Sequence, residues 1–118
     1  MPLTKAFKDT VRARAQTDAA FRVALLEEGL DAFVNNDLET GKLLLRDIIN
    51  ATVGFKALAA QLHMHPESLM RMLSIEGNPS VENLFAVVSQ LKALDGVSLS
   101  VHASAGEQWQ DFLQYYKK

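Results

Sequence analysis

The 118-residue sequence contains no cysteine. This absence excludes disulfides, thiolate nucleophiles, iron–sulfur clusters and cysteine-ligated zinc. The sequence also lacks any uninterrupted apolar run near the roughly 18 residues that a membrane helix needs, and the segment 1–8 lacks the apolar core of a secretory signal. We therefore expect a cytoplasmic protein with no membrane partner. The basic residues of segment 1–16 also fit a transit peptide, but a solvated helix face is the preferred interpretation.

An excess of charge of one sign is missing as well. Lysine and arginine number 12 against 14 aspartates and glutamates, which gives a net charge of -2. A protein that binds nucleic acid mainly by charge has a strongly basic surface, so any basic patch here must be local. The length fits one domain, and 48% hydrophobic residues are enough to build its core.

Apolar residues recur at helical spacing through most of the chain. A first helix carries Phe7 and Val11, and further helices are predicted over about 18–34, 38–52, 55–62, 66–73 and 80–94. Asp18 and Asp37 are placed to cap helix starts, and Gly54 and Gly96 to end helices. The sequence therefore predicts an all-α fold.

One segment departs from the helical pattern. Val97, Leu99 and Val101 alternate with polar residues, as in a half-buried strand. A lone strand must pair to satisfy its backbone groups, and we expect these three residues to form an antiparallel pair across a homodimer. The alternative is an extended arm that lies on the chain's own helices.

The last twelve residues, 107–118, carry a second apolar pattern. Trp109, Phe112, Leu113 and Tyr116 are spaced as on one face of a helix. We predict that Trp109, Phe112 and Tyr116 bind a partner; a segment that caps the chain's own core is the alternative.

Residues 55–74 fit two short helices joined by a tight turn. Ala59 is small where the two helices would nearly touch, and His63 stands where the turn needs a positive φ, which histidine tolerates better than most residues. The apolar positions that would face the domain are Leu58, Leu62, Met64, Leu69 and Met72.

The second of these helices has a well-defined start. His65 is at the N-cap position and Pro66 in the first turn, where a missing N–H costs nothing. In a helix-turn-helix this helix enters the major groove. The candidate DNA-binding residues are His65, Glu67, Ser68, Met70 and Arg71, with Lys56 near the backbone phosphates. The alternative for Arg71 is an ordinary helical ion pair with Glu67, four residues earlier.

A family resemblance rests on four segments: 45–54, 54–60, 68–73, and the run Glu76-Gly77-Asn78-Pro79-Ser80 with Asn83-Leu84. Together they resemble the lambda-repressor-like (Cro/repressor-type, XRE-like) helix-turn-helix family, and within it the addiction module antidotes, which are HigA-like antitoxin regulators. The resemblance covers residues 38–102. It implies a Gly-Asn-Pro turn after the recognition helix, dimers on operator DNA, and autorepression. His63 in place of a turn glycine, Glu67, the N-terminal helices and the aromatic tail depart from the family pattern.

These observations give one expectation for the fold. It is a lambda-repressor-like helix-turn-helix bundle with extra N-terminal helices and one C-terminal β-strand pairing across a dimer. Residues 1–37 would be N-terminal helices packed on the core, 38–96 the DNA-binding domain, and 97–118 the dimerisation strand and amphipathic tail.

The expected function is that of a sequence-specific, DNA-binding transcriptional regulator. It would be of the antitoxin type, autorepressing, and would act as a homodimer on a double-stranded DNA operator. The alternative is a protein-interaction module that neutralises a toxin partner without binding DNA itself.

Other chemistries are disfavoured. His63, His65 and Glu67 flank a turn and a proline and do not share a helix face, so we predict no metal site. There is no G-x-S-x-G motif, and the glycines occur singly rather than in a phosphate-binding loop. We therefore expect neither an enzyme nor a cofactor.

Overall fold

The computed structural model describes residues 4–103, and all regular secondary structure in that range is helical. The elements are α1 (Lys5–Thr17), α2 (Ala19–Val34), α3 (Leu38–Ala51), α4 (Phe55–Gln61), α5 (Pro66–Met72) and α6 (Val81–Leu94). The predicted all-α fold is confirmed for these residues. No helix among them is both long and apolar enough to cross a membrane.

Short polar side chains fix where four of the helices begin. The side chains of Thr4, Asp18, Asp37 and Ser80 each accept a hydrogen bond from the backbone N–H three residues later, over 3.0–3.2 Å. Each bond satisfies a donor that has no partner inside the helix. The predicted caps at Asp18 and Asp37 are confirmed.

The end of α3 depends on a left-handed residue. Gly54 has φ of 81°, and its N–H donates to the carbonyl of Ile49 over 2.8 Å. Glycine adopts this conformation without the steric cost that a Cβ brings. The helical path of α3 therefore ends before Gly54, and α4 begins directly after it.

The apolar core consists of side chains from α2, α3, α4, α5 and α6 and of Leu73, which directly follows α5. Its largest fully buried side chains are Leu45, Ile49, Leu58, Leu69, Leu73 and Val87. Leu26 of α2 belongs to the same cluster. One continuous core therefore joins α2 to the four helices that follow it.

An ion pair connects α2 to the end of α6. The guanidinium of Arg22 donates to both carboxylate oxygens of Asp95, over 2.7 and 3.1 Å, and its Nη1 donates to the carbonyl of Ala15 over 2.8 Å. The hydrogen bond from Arg22 lowers the pKa of Asp95 and raises that of Arg22. A single side chain thus ties together the end of α1, the start of α2 and the residue after α6.

The segment that follows α6 contains no strand within residues 4–103. Leu99 packs against the core cluster, Val97 is half-buried, and Val101 is exposed. The position of Leu99 fits the alternative of an extended arm on the chain's own helices, while pairing across a dimer stays a prediction. The predicted partner-binding residues Trp109, Phe112 and Tyr116 lie outside the described residues.

Candidate nucleic-acid interface

The turn between α4 and α5 has the geometry that the sequence predicts. His63 has φ of 57°, which confirms the expected left-handed conformation. The N–H of Met64 donates to the carbonyl of Ala59 over 3.0 Å, and Ala59 has no exposed surface. The two helices therefore meet closely at an alanine, where a larger side chain would separate them.

Helix α5 has one buried and one exposed face. Leu69 and Met72 are buried, as predicted. The exposed positions of α5 are Glu67, Ser68, Met70 and Arg71, and exposed His65 precedes the helix in an extended conformation without a capping hydrogen bond from its side chain. Lys56, in the first turn of α4, is also exposed.

Two of the predicted DNA-binding residues share a groove in the described part of the chain. Ser68 and Arg71 line a depression of about 380 Å³ together with Asn78, Ser80 and Asn83, between α5 and the start of α6. The ion pairs within residues 4–103 join Arg14 to Asp18 and Arg22 to Asp95. The alternative pairing of Arg71 with Glu67 is therefore not formed in this part of the chain.

Two cations of α3 hold the end of α5, and sequence reasoning missed both. Lys42 is only 6% exposed, and its Nζ donates to the carbonyls of Ile75 and Gly77 over 3.0 and 2.8 Å. Nη1 of Arg46 donates to the carbonyl of Leu73 over 3.1 Å. These bonds satisfy carbonyls that α5 and its following turn leave without a partner. The available signal was a lysine three residues before Leu45, on the apolar face of its own helix.

Glycine is required at residue 77 because the backbone there lies very close to the end of α5. A Cβ at this position would lie 2.5 Å from the carbonyl oxygen of Met72 and closer still to that of Arg71. Both are backbone atoms at the end of α5, so they cannot move aside as a flexible side chain would. The turn can therefore pack against α5 only because residue 77 has no side chain.

A second groove also borders this turn. We call it the apolar groove; its volume is about 330 Å³. Its apolar lining consists of Phe33, Val34, Leu38, Val81, Leu84 and Phe85. Gly77, Asn78 and Pro79 line both grooves. One three-residue turn thus forms a wall common to the two.

The electrostatics around α4 and α5 are balanced. Over residues 54–79, Lys56 and Arg71 oppose Glu67 and Glu76. A surface without excess positive charge draws little affinity from counterion release. Among residues 4–103, no group of three or more histidine, aspartate or glutamate side chains is arranged to hold a metal ion.

Comparisons with protein-family models, with curated proteins and with solved structures find no match to this chain.

Proposed function

We propose that α4, the turn at His63 and α5 form a helix-turn-helix, and that the chain is a homodimeric, sequence-specific DNA-binding transcriptional regulator. The observation that carries the proposal is the shape of this unit. Two short helices meet at the fully buried Ala59, the turn between them is left-handed, and α5 exposes a face of three polar residues and Met70. A helix exposed in this way fits the major groove of DNA.

The exposed residues have distinct roles in this proposal. Arg71 donates to guanine O6 and N7 or to a phosphate, Ser68 and His65 supply further hydrogen bonds, and Lys56 contacts the backbone. Glu67 accepts from cytosine N4 but repels phosphates. Exposed Met70 packs against a thymine methyl group.

The neutral charge balance makes dimerisation important to the proposal. Each monomer gains little from non-specific attraction, so two copies of α5 must bind together, about 34 Å apart on a palindromic operator. We propose that Val97, Leu99 and Val101 provide the dimer contact. The antitoxin-type part of the proposal, a toxin partner and autorepression, is supported by the resemblance of residues 38–102 alone.

Fluorescence anisotropy tests the proposal directly. The full-length chain is titrated onto labelled DNA from upstream of its own gene and onto a scrambled duplex, at two or more salt concentrations. We expect a specific, salt-sensitive complex. Arg71→Ala should weaken it by about 1–3 kcal/mol, which is roughly 5- to 150-fold in affinity.

Arg14→Ala is the matched control. It removes the same charge from an exposed arginine of α1, whose side chain contacts Asp18 and Phe21, and we expect it to bind as wild type does. The proposal fails if the wild-type chain prefers neither duplex. The assignment of Arg71 fails if both arginine variants bind equally well.

A further inference from the structure

The apolar groove exposes large apolar side chains that no part of residues 4–103 covers. Val81 is 73% exposed and Phe85 55%, and Val34 and Leu38 are exposed as well. All four line the groove. Single exposed apolar side chains are common, but a contiguous group of them marks a surface that binds something else.

The charges beside the groove restrict what binds there. In the sequence, exposed Asp37 and Glu39 flank Leu38, and exposed Glu82 follows Val81. The one cation in the lining, Lys42, donates to the carbonyls of Ile75 and Gly77. Carboxylates next to lining residues in the sequence disfavour nucleic acid and favour an apolar occupant that also carries positive charge.

The chain itself contains a segment with these properties. We call the residues Trp109, Phe112, Leu113 and Tyr116 the tail stripe; their spacing puts them on one face of a predicted helix, and Lys117 and Lys118 follow directly. A helix of about 12 residues is marginal in water by itself and gains its stability by packing an apolar face. The tail stripe therefore needs an apolar surface.

The chain length allows the tail stripe to reach the groove. Leu99 packs against the same core cluster as Phe33 and Leu84, which line the groove. Seven residues lie between Leu99 and Glu107, so the Cα atoms of these two residues can be up to about 26 Å apart when the chain is extended. Helix α6, with the groove at its first turn, has 14 residues and a length of about 21 Å. A tether this short also gives the segment a millimolar effective concentration at its own groove.

We propose that residues 107–118 cover the apolar groove of their own chain, with the tail stripe against its lining and Lys117 and Lys118 near the carboxylates of Asp37, Glu39 and Glu82. This proposal does not depend on DNA binding by α5. It assigns the segment to the chain's own core, the alternative that the sequence pattern leaves open.

Trp109 is the only tryptophan, so its fluorescence reports the segment without a label. In the native full-length chain we expect blue-shifted emission and protection from iodide quenching, compared with the chain unfolded in urea. Phe85→Asp should shift the emission to the red and remove the protection, while circular dichroism keeps its helical signal.

Phe7→Asp is the matched control. Phe7 is 52% exposed, nearly the same as Phe85, and lies in the first turn of α1. This variant should emit as wild type does. Native Trp109 emission equal to that of the unfolded chain, or equal red shifts in the two variants, would overturn the proposal.

A second measurement does not require any variant to fold. Nuclear Overhauser effects in the wild-type chain should connect the Trp109 indole to methyl groups of Val34, Leu38 and Val81. Their absence, or effects only to other methyl groups, would overturn the assignment. The emission wavelength of Trp109 should also be independent of protein concentration, since the proposed contact lies within one chain. A shift on dilution would assign the segment to the groove of a second copy instead.

Discussion

The ammonium of Lys42 on α3 donates to the carbonyl oxygen of Gly77 over 2.8 Å, and this bond positions the turn behind α5. The same ammonium bonds to Ile75, and Arg46 reaches Leu73. Three carbonyl groups at the end of the candidate recognition helix thus depend on α3. The orientation of α5 therefore depends on side chains of α3, which do not belong to the exposed face of α5.

Replacement of Lys42 by methionine tests this arrangement. Methionine keeps most of the aliphatic stem but removes the donor, so two carbonyls lose a charged hydrogen-bond partner. We expect Lys42→Met to lower the free energy of unfolding by about 2–3 kcal/mol. Urea denaturation measures the loss. Lys56→Met, at an exposed position of α4, should change stability by less than about 0.5 kcal/mol, and equal effects at the two sites would contradict the role of Lys42.

Gly77→Ala tests the close approach of the turn to α5. The added methyl group would meet backbone oxygens of Arg71 and Met72, so the turn must move and its bonds to Lys42 must weaken. We expect a loss of about 1–3 kcal/mol, in the range of other changes that overpack a well-packed site.

Gly96→Ala is the control for that variant, because residue 77 is limited by space and residue 96 by its positive φ. Gly96 has φ of 61° and open space where a Cβ would lie, so alanine there should cost only about 1 kcal/mol of backbone strain. Thermal unfolding of both variants gives the comparison. A smaller loss at residue 77 than at residue 96 would rule out the steric explanation.

His63 allows a test of the turn between α4 and α5. Its φ of 57° is strained for residues with a Cβ, and most of all for β-branched ones. We expect His63→Gly to stabilise the chain by up to about 1 kcal/mol and His63→Val to destabilise it by about 1–2 kcal/mol. The urea midpoint of His63→Gly should therefore be higher than that of wild type, and the midpoint of His63→Val lower. A valine variant as stable as the glycine variant would contradict the backbone strain at residue 63.

The pair of Arg22 and Asp95 predicts a pH dependence. The hydrogen bond from Arg22 holds the pKa of Asp95 below its ordinary value of 3.8. Because the folded pKa is the lower one, the pair's contribution is fully present above the unfolded pKa and is lost as the pH falls through the folded pKa. Near neutral pH, the free energy of unfolding of wild type should exceed that of Asp95→Asn by about 1–2 kcal/mol. The difference should shrink below about pH 4.

Urea unfolding at pH 7 and near pH 3 measures this difference. Asp31→Asn is a suitable control, because Asp31 is exposed and forms no ion pair within residues 4–103. Its stability should stay within about 0.5 kcal/mol of wild type at neutral pH. A pH-independent difference for Asp95→Asn would show that the carboxylate charge does not contribute.

Local chemistry made most of the fold predictable. Asp18 and Asp37 mark helix starts because their side chains bond to backbone three residues away, and Gly54 marks a helix end through its own φ. The exposure of Glu67, Ser68, Met70 and Arg71 follows from the periodicity of α5. Each of these features depends on residues within one or two helical turns.

Long-range polar contacts were not predictable in this way. Lys42 meets carbonyls 33 and 35 residues later, and Arg22 meets Asp95 across 73 residues. No periodicity links such positions, because their partners depend on how complete helices pack. The alternation of Val97, Leu99 and Val101 shows the opposite limit: it predicts an extended backbone but does not say whether that backbone pairs with another strand or lies on its own helices.

The turn of Gly77, Asn78 and Pro79 has a further consequence because it borders both grooves. A ligand along α5 and a segment in the apolar groove would both contact this short stretch of backbone. If either one displaces the turn as it binds, the affinity on the other side changes by an equal factor in both directions. Lys42 holds this turn and Gly77 leaves no room for a methyl group, so a shift of the turn caused by binding in one groove would also alter the wall of the other.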